Sequence, residues 1–126
     1  MSLDIASIKV VVTGASGFVA GHIIAMLLEK GYHVRGTVKD INDTSSYSYL
    51  NLLSNSNNLE IVQLNLLDPY DSTNTTSLLS WNQVFTNDIT FVIHVASPYI
   101  LKPKDPQGEL IDVAVNGTKT ICEICE

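Results

Sequence analysis

The segment Thr13-Gly14-Ala15-Ser16-Gly17-Phe18-Val19-Ala20 constrains the fold of this chain more than any other. It follows residues 8–13 (IKVVVT), a run apolar and β-branched enough for a strand buried on both faces, and it opens a helix-length apolar segment over residues 18–30. A strand that ends in a tight turn needs a residue free of steric penalty at unusual dihedrals, which Gly14 supplies. Gly17 removes the side chain where a pyrophosphate must approach backbone N–H groups at the positive end of a helix. Ala20 stands where a small residue lets the helix pack on the strand, with Gly21 beside it. The competing reading is a glycine-rich turn with no ligand. The preceding strand, the following helix and the next strand favour a dinucleotide cradle.

The same alternation continues along the chain. Val19, Ile23, Met26 and Leu27 recur at helical spacing, and Gly31 follows as a C-terminal stop. Residues 33–38, 59–64 and 90–96 read as a second, third and fourth strand. A last helix is expected to open at Asp105-Pro106, with a carboxylate in the N-cap place and proline at the first helical position. The class is therefore α/β, a Rossmann-type parallel sheet flanked by helices. Right-handed crossovers permit few topologies, and the usual one for a nucleotide-binding half orders the strands 3-2-1-4. The fourth strand would then form an open edge, so the sheet reads as apparently truncated and the chain alone as marginally stable and self-associating. Two polar stretches, residues 42–58 and 68–77, read as surface excursions, the first around a short helix at residues 49–53.

Composition narrows the function classes. With 126 residues, 45% of them apolar and 16% charged, the chain has the makings of one folded domain with its own core. Seven Lys and Arg against thirteen Asp and Glu make no basic face, which argues against nucleic acid and against an anionic membrane surface. No apolar run approaches the ~18 residues of a membrane span, and residues 1–7 do not look like a targeting peptide, so a cytoplasmic address is expected. Cys122 and Cys125 form a C-x-x-C without a second ligand pair for zinc, and at a helix end rather than a helix start; core packing is the expectation, and no metal site.

Four blocks, TGASGFVAGHI, HVRGTVKD, FVIHVASP and DPQGELIDVAVNGTK, in this order, resemble the extended short-chain dehydrogenase/reductases. The resemblance is to the branch of dihydroflavonol 4-reductase, cinnamoyl-CoA reductase and the yeast-type methylglyoxal reductases. It implies that residues 1–126 are the N-terminal part of an NAD(P)-binding Rossmann domain, with the substrate-binding lobe absent. It also implies cofactor contacts at Gly14, Ser16, Gly17, Phe18 and Val19. By position, Lys39 matches the basic residue that grips the 2′-phosphate of NADP, while Asp40 is the acid that an NAD enzyme would turn to the ribose. NADP(H) is favoured over NAD(H). The family adds a second basic residue downstream, yet no Lys or Arg occurs between Asp40 and Leu101. Asn65 and Leu66 stand where the family contacts adenine, although a turn asparagine is the alternative for Asn65. Ala96 and Ser97 end the block whose backbone passes the cofactor riboses. His94 within it reads as a satisfied core histidine rather than a catalyst, and Gly117 as a close-packing position on the stripe Leu110, Ala114, Ile121.

Catalysis in this family rests on Tyr-x-x-x-Lys. Four residues after Tyr32, Tyr47, Tyr49, Tyr70 and Tyr99 stand Gly36, Asn51, Leu53, Asn74 and Pro103, so no such pair exists in these 126 residues and no catalytic residue is assigned. The reading that follows is the NADPH-binding portion of a carbonyl reductase acting on a small aldehyde or ketone, inactive by itself, with a homodimer through the last helix compatible with its apolar faces. A non-catalytic NAD(P)-binding regulatory protein and a nucleotide-sugar epimerase or dehydratase remain open alternatives.

Overall fold

The strand that carries the glycine turn is the middle of the sheet in the computed structural model, which describes residues 4–64, 81–96, 104, 105, 107 and 111–125. β1 (Lys9–Val12) pairs in parallel with β2 (His33–Val38) on one side and with β4 (Phe91–Ile93) on the other; β2 pairs in turn with β3 (Leu59–Gln63). The order is β3-β2-β1-β4, as expected from right-handed crossovers. Register places Val12 beside both Gly36 and Ile93, so the C-terminal ends of β1, β2 and β4 lie at one edge.

The continuous apolar character of β1 has a direct structural cause. Val10 and Val12 enter one buried cluster with Ala20, Ile24 and Leu28 of α1 (Phe18–Glu29), whereas Val11 enters a second, with Leu64, Trp81, Val84 and Ile121. A strand covered on both faces cannot alternate polar and apolar residues. The second cluster rests on helical residues 81–84 and on α2 (Asp112–Ile124). The expected stop of α1 is present: Gly31 takes φ +94, a conformation that costs glycine nothing.

Several expectations need correction. The buried stripe of α1 is Ala20, Ile24 and Leu28; Ile23 and Leu27 are half-buried, and Val19 and Met26 are exposed at 58% and 59%. The helix FVAGHIIAMLLE is apolar nearly all round, so its own sequence does not set which face turns inward. Residues 42–58 do contain short helices, all of the 3-10 type, at Thr44–Ser46, Ser48–Leu52 and Ser56–Asn58. They are more than a surface excursion, because Leu50 is fully buried in the α1 cluster and Tyr47 and Leu53 pack beside it. Asp105 lies in a bend as expected of a residue just outside a helix, Gln107 and Ile111 are π-helical, and the α-helix proper begins at Asp112, whose carboxylate accepts from Gln107 Nε2 at 2.7 Å. A carboxylate in the first turn suits the positive helix end, which Asp112 provides. Pro106 and residues 68–77 lie outside the described residues.

Cys122 and Cys125 are both free and exposed rather than packed in the core. On α2 the buried positions are Gly117 and Ile121, one turn apart; Cys122 lies off that row, and Cys125, one turn beyond Ile121, stands at the exposed C-terminal end of the helix. Leu110 lies outside the described residues. Among the described residues no helix is long and apolar enough to cross a membrane.

Candidate dinucleotide-binding site

Parallel strands whose order reverses leave a crevice at their C-terminal ends, here between β2 on one side of β1 and β4 on the other. The glycine turn occupies that point. Gly14 has φ +69, and Gly17 N–H donates to the Gly14 carbonyl at 2.9 Å to close the turn. Thr37 of β2 holds it from the side: its Oγ1 accepts from Gly14 N–H at 3.2 Å and its carbonyl from Ala15 N–H at 2.7 Å. Ala15 is fully buried against Gly36, where an added Cβ would stand 2.8 Å from the Ala15 methyl. The turn thus packs on bare β2 backbone, and a side chain at Gly36 would push it outward.

Ser16, Gly17, Phe18 and Val19 form the exposed rim, with Phe18 82% exposed and its ring edge-on to His22 at 4.6 Å. Gly17 is the N-cap of α1 and no side chain caps the helix. The first intrahelical bond runs from Gly21 N–H to the Gly17 carbonyl, so the N–H groups of residues 18–20 precede any helical acceptor. An added Cβ on Gly17 would meet only the Gly14 carbonyl, at 3.2 Å. An uncapped, side-chain-free helix start with positive partial charge fits a pyrophosphate.

β4 closes the other wall. Ala96 reaches Gly14 so closely that a Cβ there would lie 3.0 Å from the Ala96 Cα. Thr13 holds this approach: its Oγ1 accepts from Val95 N–H at 2.8 Å and Ala96 N–H at 2.9 Å, and lies 2.7 Å from His94 Nδ1. His94 is half-buried, and desolvation lowers its pKa from the ordinary 6.5, which agrees with a satisfied histidine rather than a charged one.

At the end of β2, Lys39 is exposed, whereas Asp40 is already engaged: its Oδ1 accepts from Asn42 N–H at 3.0 Å in a local turn. The carboxylate that could have held a ribose hydroxyl therefore shapes the loop. Beyond that loop Tyr49 lies over Gly21, with its hydroxyl 2.8 Å from the position of an added Cβ and 3.5 Å from the Ser16 carbonyl.

Seven of the residues singled out in the sequence, Gly14, Ser16, Gly17, Phe18, Val19, Lys39 and Ala96, thus lie in or beside the glycine turn or at the strand ends next to it. Asn65, Leu66 and Ser97 lie outside the described residues. The roles of Thr13, Thr37 and Tyr49 were not foreseen. Thr13 stood in the motif itself, but its partners are more than eighty residues away, and nothing local marks Thr37 or Tyr49. Among the described residues no three His, Cys, Asp or Glu side chains gather as a metal site.

A doubly wound parallel sheet with a glycine turn and an uncapped helix at its switch point defines a dinucleotide-binding fold of the Rossmann type. The chain belongs to the 3-beta hydroxysteroid dehydrogenase/isomerase family, whose model matches residues 11–126. It is 36% identical over 119 residues to cinnamoyl-CoA reductase CAD2 of Medicago truncatula, covering 92% of this chain and 33% of that protein. With dihydroflavonol 4-reductase of Dianthus caryophyllus it shares 34% over 119 residues, again 92% of this chain and 30% of the relative. Among solved structures, yeast methylglyoxal/isovaleraldehyde reductase Gre2, complexed with NADPH, superposes with a TM-score of 0.75 at 27% identity, covering 93% of this chain and 32% of that one. The chain thus spans about a third of the length of these relatives.

Proposed function

We propose that this chain is the NADP(H)-binding portion of a reductase that transfers hydride to the carbonyl group of a small aldehyde or ketone. The observation that carries the reading is the uncapped start of α1 behind Gly14 and Gly17, open at the switch point between β2 and β4. The donor set fits the group: the N–H groups at residues 18–20 would take the pyrophosphate, the Ala96 backbone would line the ribose side, and Lys39 would pair with the 2′-phosphate. Asn65, Leu66 and Ser97 complete the proposed contacts. Asp40, occupied by its own turn, offers little to a free 2′-hydroxyl. The bound nicotinamide supplies the hydride; this chain's residues bind, orient and shield it.

The relatives named as reductases support the carbonyl substrate, and the NADPH in the Gre2 structure supports the cofactor. Residues 1–126 then form part of an NAD(P)-binding domain and lack Tyr-x-x-x-Lys, so this chain alone reduces no carbonyl. A cytoplasmic address and a homodimer through Ile111 and Val115, both exposed on the last helix, go with this reading.

Calorimetric titration with NADPH and NADH tests it, on the chain and on Gly17→Val and Lys39→Ala. Binding of NADPH that vanishes with the valine and loses its preference over NADH with the alanine supports the cradle. A folded chain that binds neither nucleotide refutes it.

A further inference from the structure

The hydroxyl of Thr13 has three polar neighbours, and their proton accounting is closed. A hydroxyl offers one donor and two acceptor lone pairs. Both lone pairs of Oγ1 are used by obligate donors, the N–H groups of Val95 and Ala96 at 2.8 and 2.9 Å. The single proton must therefore go to His94 Nδ1 at 2.7 Å, which accepts only when it is unprotonated. His94 is fixed as the neutral Nε2–H tautomer. Placing a proton on Nδ1 would bring a third donor to an oxygen with two lone pairs, and one of the backbone N–H groups would have to leave.

We propose that His94 is a positioning residue for the dinucleotide cradle: as a neutral acceptor it lets Thr13 hold the Val95 and Ala96 backbone against Gly14, and its protonation releases that segment. The inference rests on the proposed nucleotide site, whose β4 wall is this backbone. It gives the cradle a built-in sensitivity to mild acid.

The surroundings contain little that would oppose this behaviour. His94 lies on the wall of a cavity of about 560 Å³ along β4, lined also by Phe85, Ile89, Val92, Thr118 and Ile121. Besides His94, the titratable groups on that wall among the described residues are the thiols Cys122 and Cys125 of α2, and burial raises the Cys125 thiol, away from the range where imidazole titrates. No carboxylate or ammonium lines it among the described residues. Asp88, next in sequence to the lining residues Asn87 and Ile89 but not itself on the wall, is paired with Lys9 at 2.8 Å. On β1 the facing group is the Thr13 hydroxyl itself. Desolvation lowers the pKa of His94, so the charged form gathers only as pH falls below the ordinary 6.5.

The test compares the 126-residue chain with His94→Asn and His94→Leu. Asparagine places Oδ1 near the position of Nδ1, accepts the Thr13 proton and does not titrate. Nitrogen NMR at about pH 7.5 is expected to show an unprotonated Nδ1 on His94. In calorimetric titrations with NADP+, the parent chain should lose about tenfold more affinity than His94→Asn between about pH 7.5 and 5, the shared loss from the ligand phosphate cancelling. At the higher pH the asparagine variant should bind within about twofold of the parent and His94→Leu about tenfold more weakly. A protonated Nδ1 at neutral pH, or identical pH curves for parent and asparagine variant, overturns the proposal. If His94→Leu does not fold, the asparagine comparison decides. If none of the proteins binds NADP+ at any pH, the proposed function fails, and the role of His94 is still judged by urea unfolding. A midpoint that falls with pH in the parent and not in His94→Asn supports it, and parallel curves overturn it.

Discussion

Replacing Gly14 with alanine should separate what holds the turn from what the turn holds. At φ +69 an L-residue carries a penalty of about 1 kcal/mol. The new methyl would also stand 3.0 Å from the Ala96 Cα and 3.2 Å from both its N and its Cβ. These are mostly backbone atoms, tied down by the bonds from Val95 and Ala96 to Thr13, and cannot swing aside. Overpacking of this kind costs about 1–3 kcal/mol, which with the dihedral term makes a loss of about 2–4 kcal/mol. With a urea m-value of about 2 kcal/mol/M for a small domain, the unfolding midpoint should fall by about 1–2 M. Gly17→Ala is the internal control. Its φ of -78 suits any residue and its Cβ meets one oxygen at 3.2 Å, so less than about 1 kcal/mol should be lost, while nucleotide affinity drops. Urea unfolding followed by Trp81 fluorescence measures both. Coincident midpoints for the two variants would refute the claim that the turn is braced by its contact with β4.

Arg35 is 6% exposed, and its guanidinium donates to Glu60 at 3.0 Å, to the carbonyls of Gln83 and Val84 at 3.1 and 2.9 Å, and to Thr86 Oγ1 at 2.9 Å. Arg35→Leu strands those carbonyls and should cost about 2–4 kcal/mol in urea unfolding, whereas Glu60→Gln, at a half-exposed partner, should cost less than about 1. Asp88 accepts from Lys9 and from Thr86, and these bonds hold its carboxyl well below the ordinary 3.8. Because the folded pKa is the lower one, the contribution is complete above 3.8 and is lost as pH falls further. Asp88→Asn should therefore flatten the acid limb of a stability-against-pH curve, and an unchanged limb would count against the pairing. Gly21→Ala adds helix propensity of about 1 kcal/mol but pushes the Tyr49 hydroxyl from 2.8 Å. The gain should appear in full only in a Tyr49→Phe background, as read by thermal melting.

The parts of this protein legible in its sequence are those set by local chemistry. Gly14 needs a positive φ, Gly31 stops a helix, and residues 33–38 carry a strand whose ends agree with β2 residue for residue. The strand order followed from the handedness of crossovers, which owes nothing to particular side chains. The glycine turn and Lys39 could be placed for the same reason, as fixed offsets from a strand end. What the tertiary structure alone decided is every choice between near-equal local options. The apolar residues of α1 admit more than one inward face, and contact with Val10, Val12 and Leu50 selected Ala20, Ile24 and Leu28. Leu50 stands in a run of Ser, Tyr and Asn that looks solvated until the α1 cluster closes on it. Cys122 and Cys125 have helical spacing, but Gly117 and Ile121 took the inward line. The proton arrangement at Thr13 depends on a histidine 81 residues away. Such partners meet only when the sheet forms, because burial and hydrogen bonding are settled by neighbours in space, and a residue's neighbours in sequence do not name them.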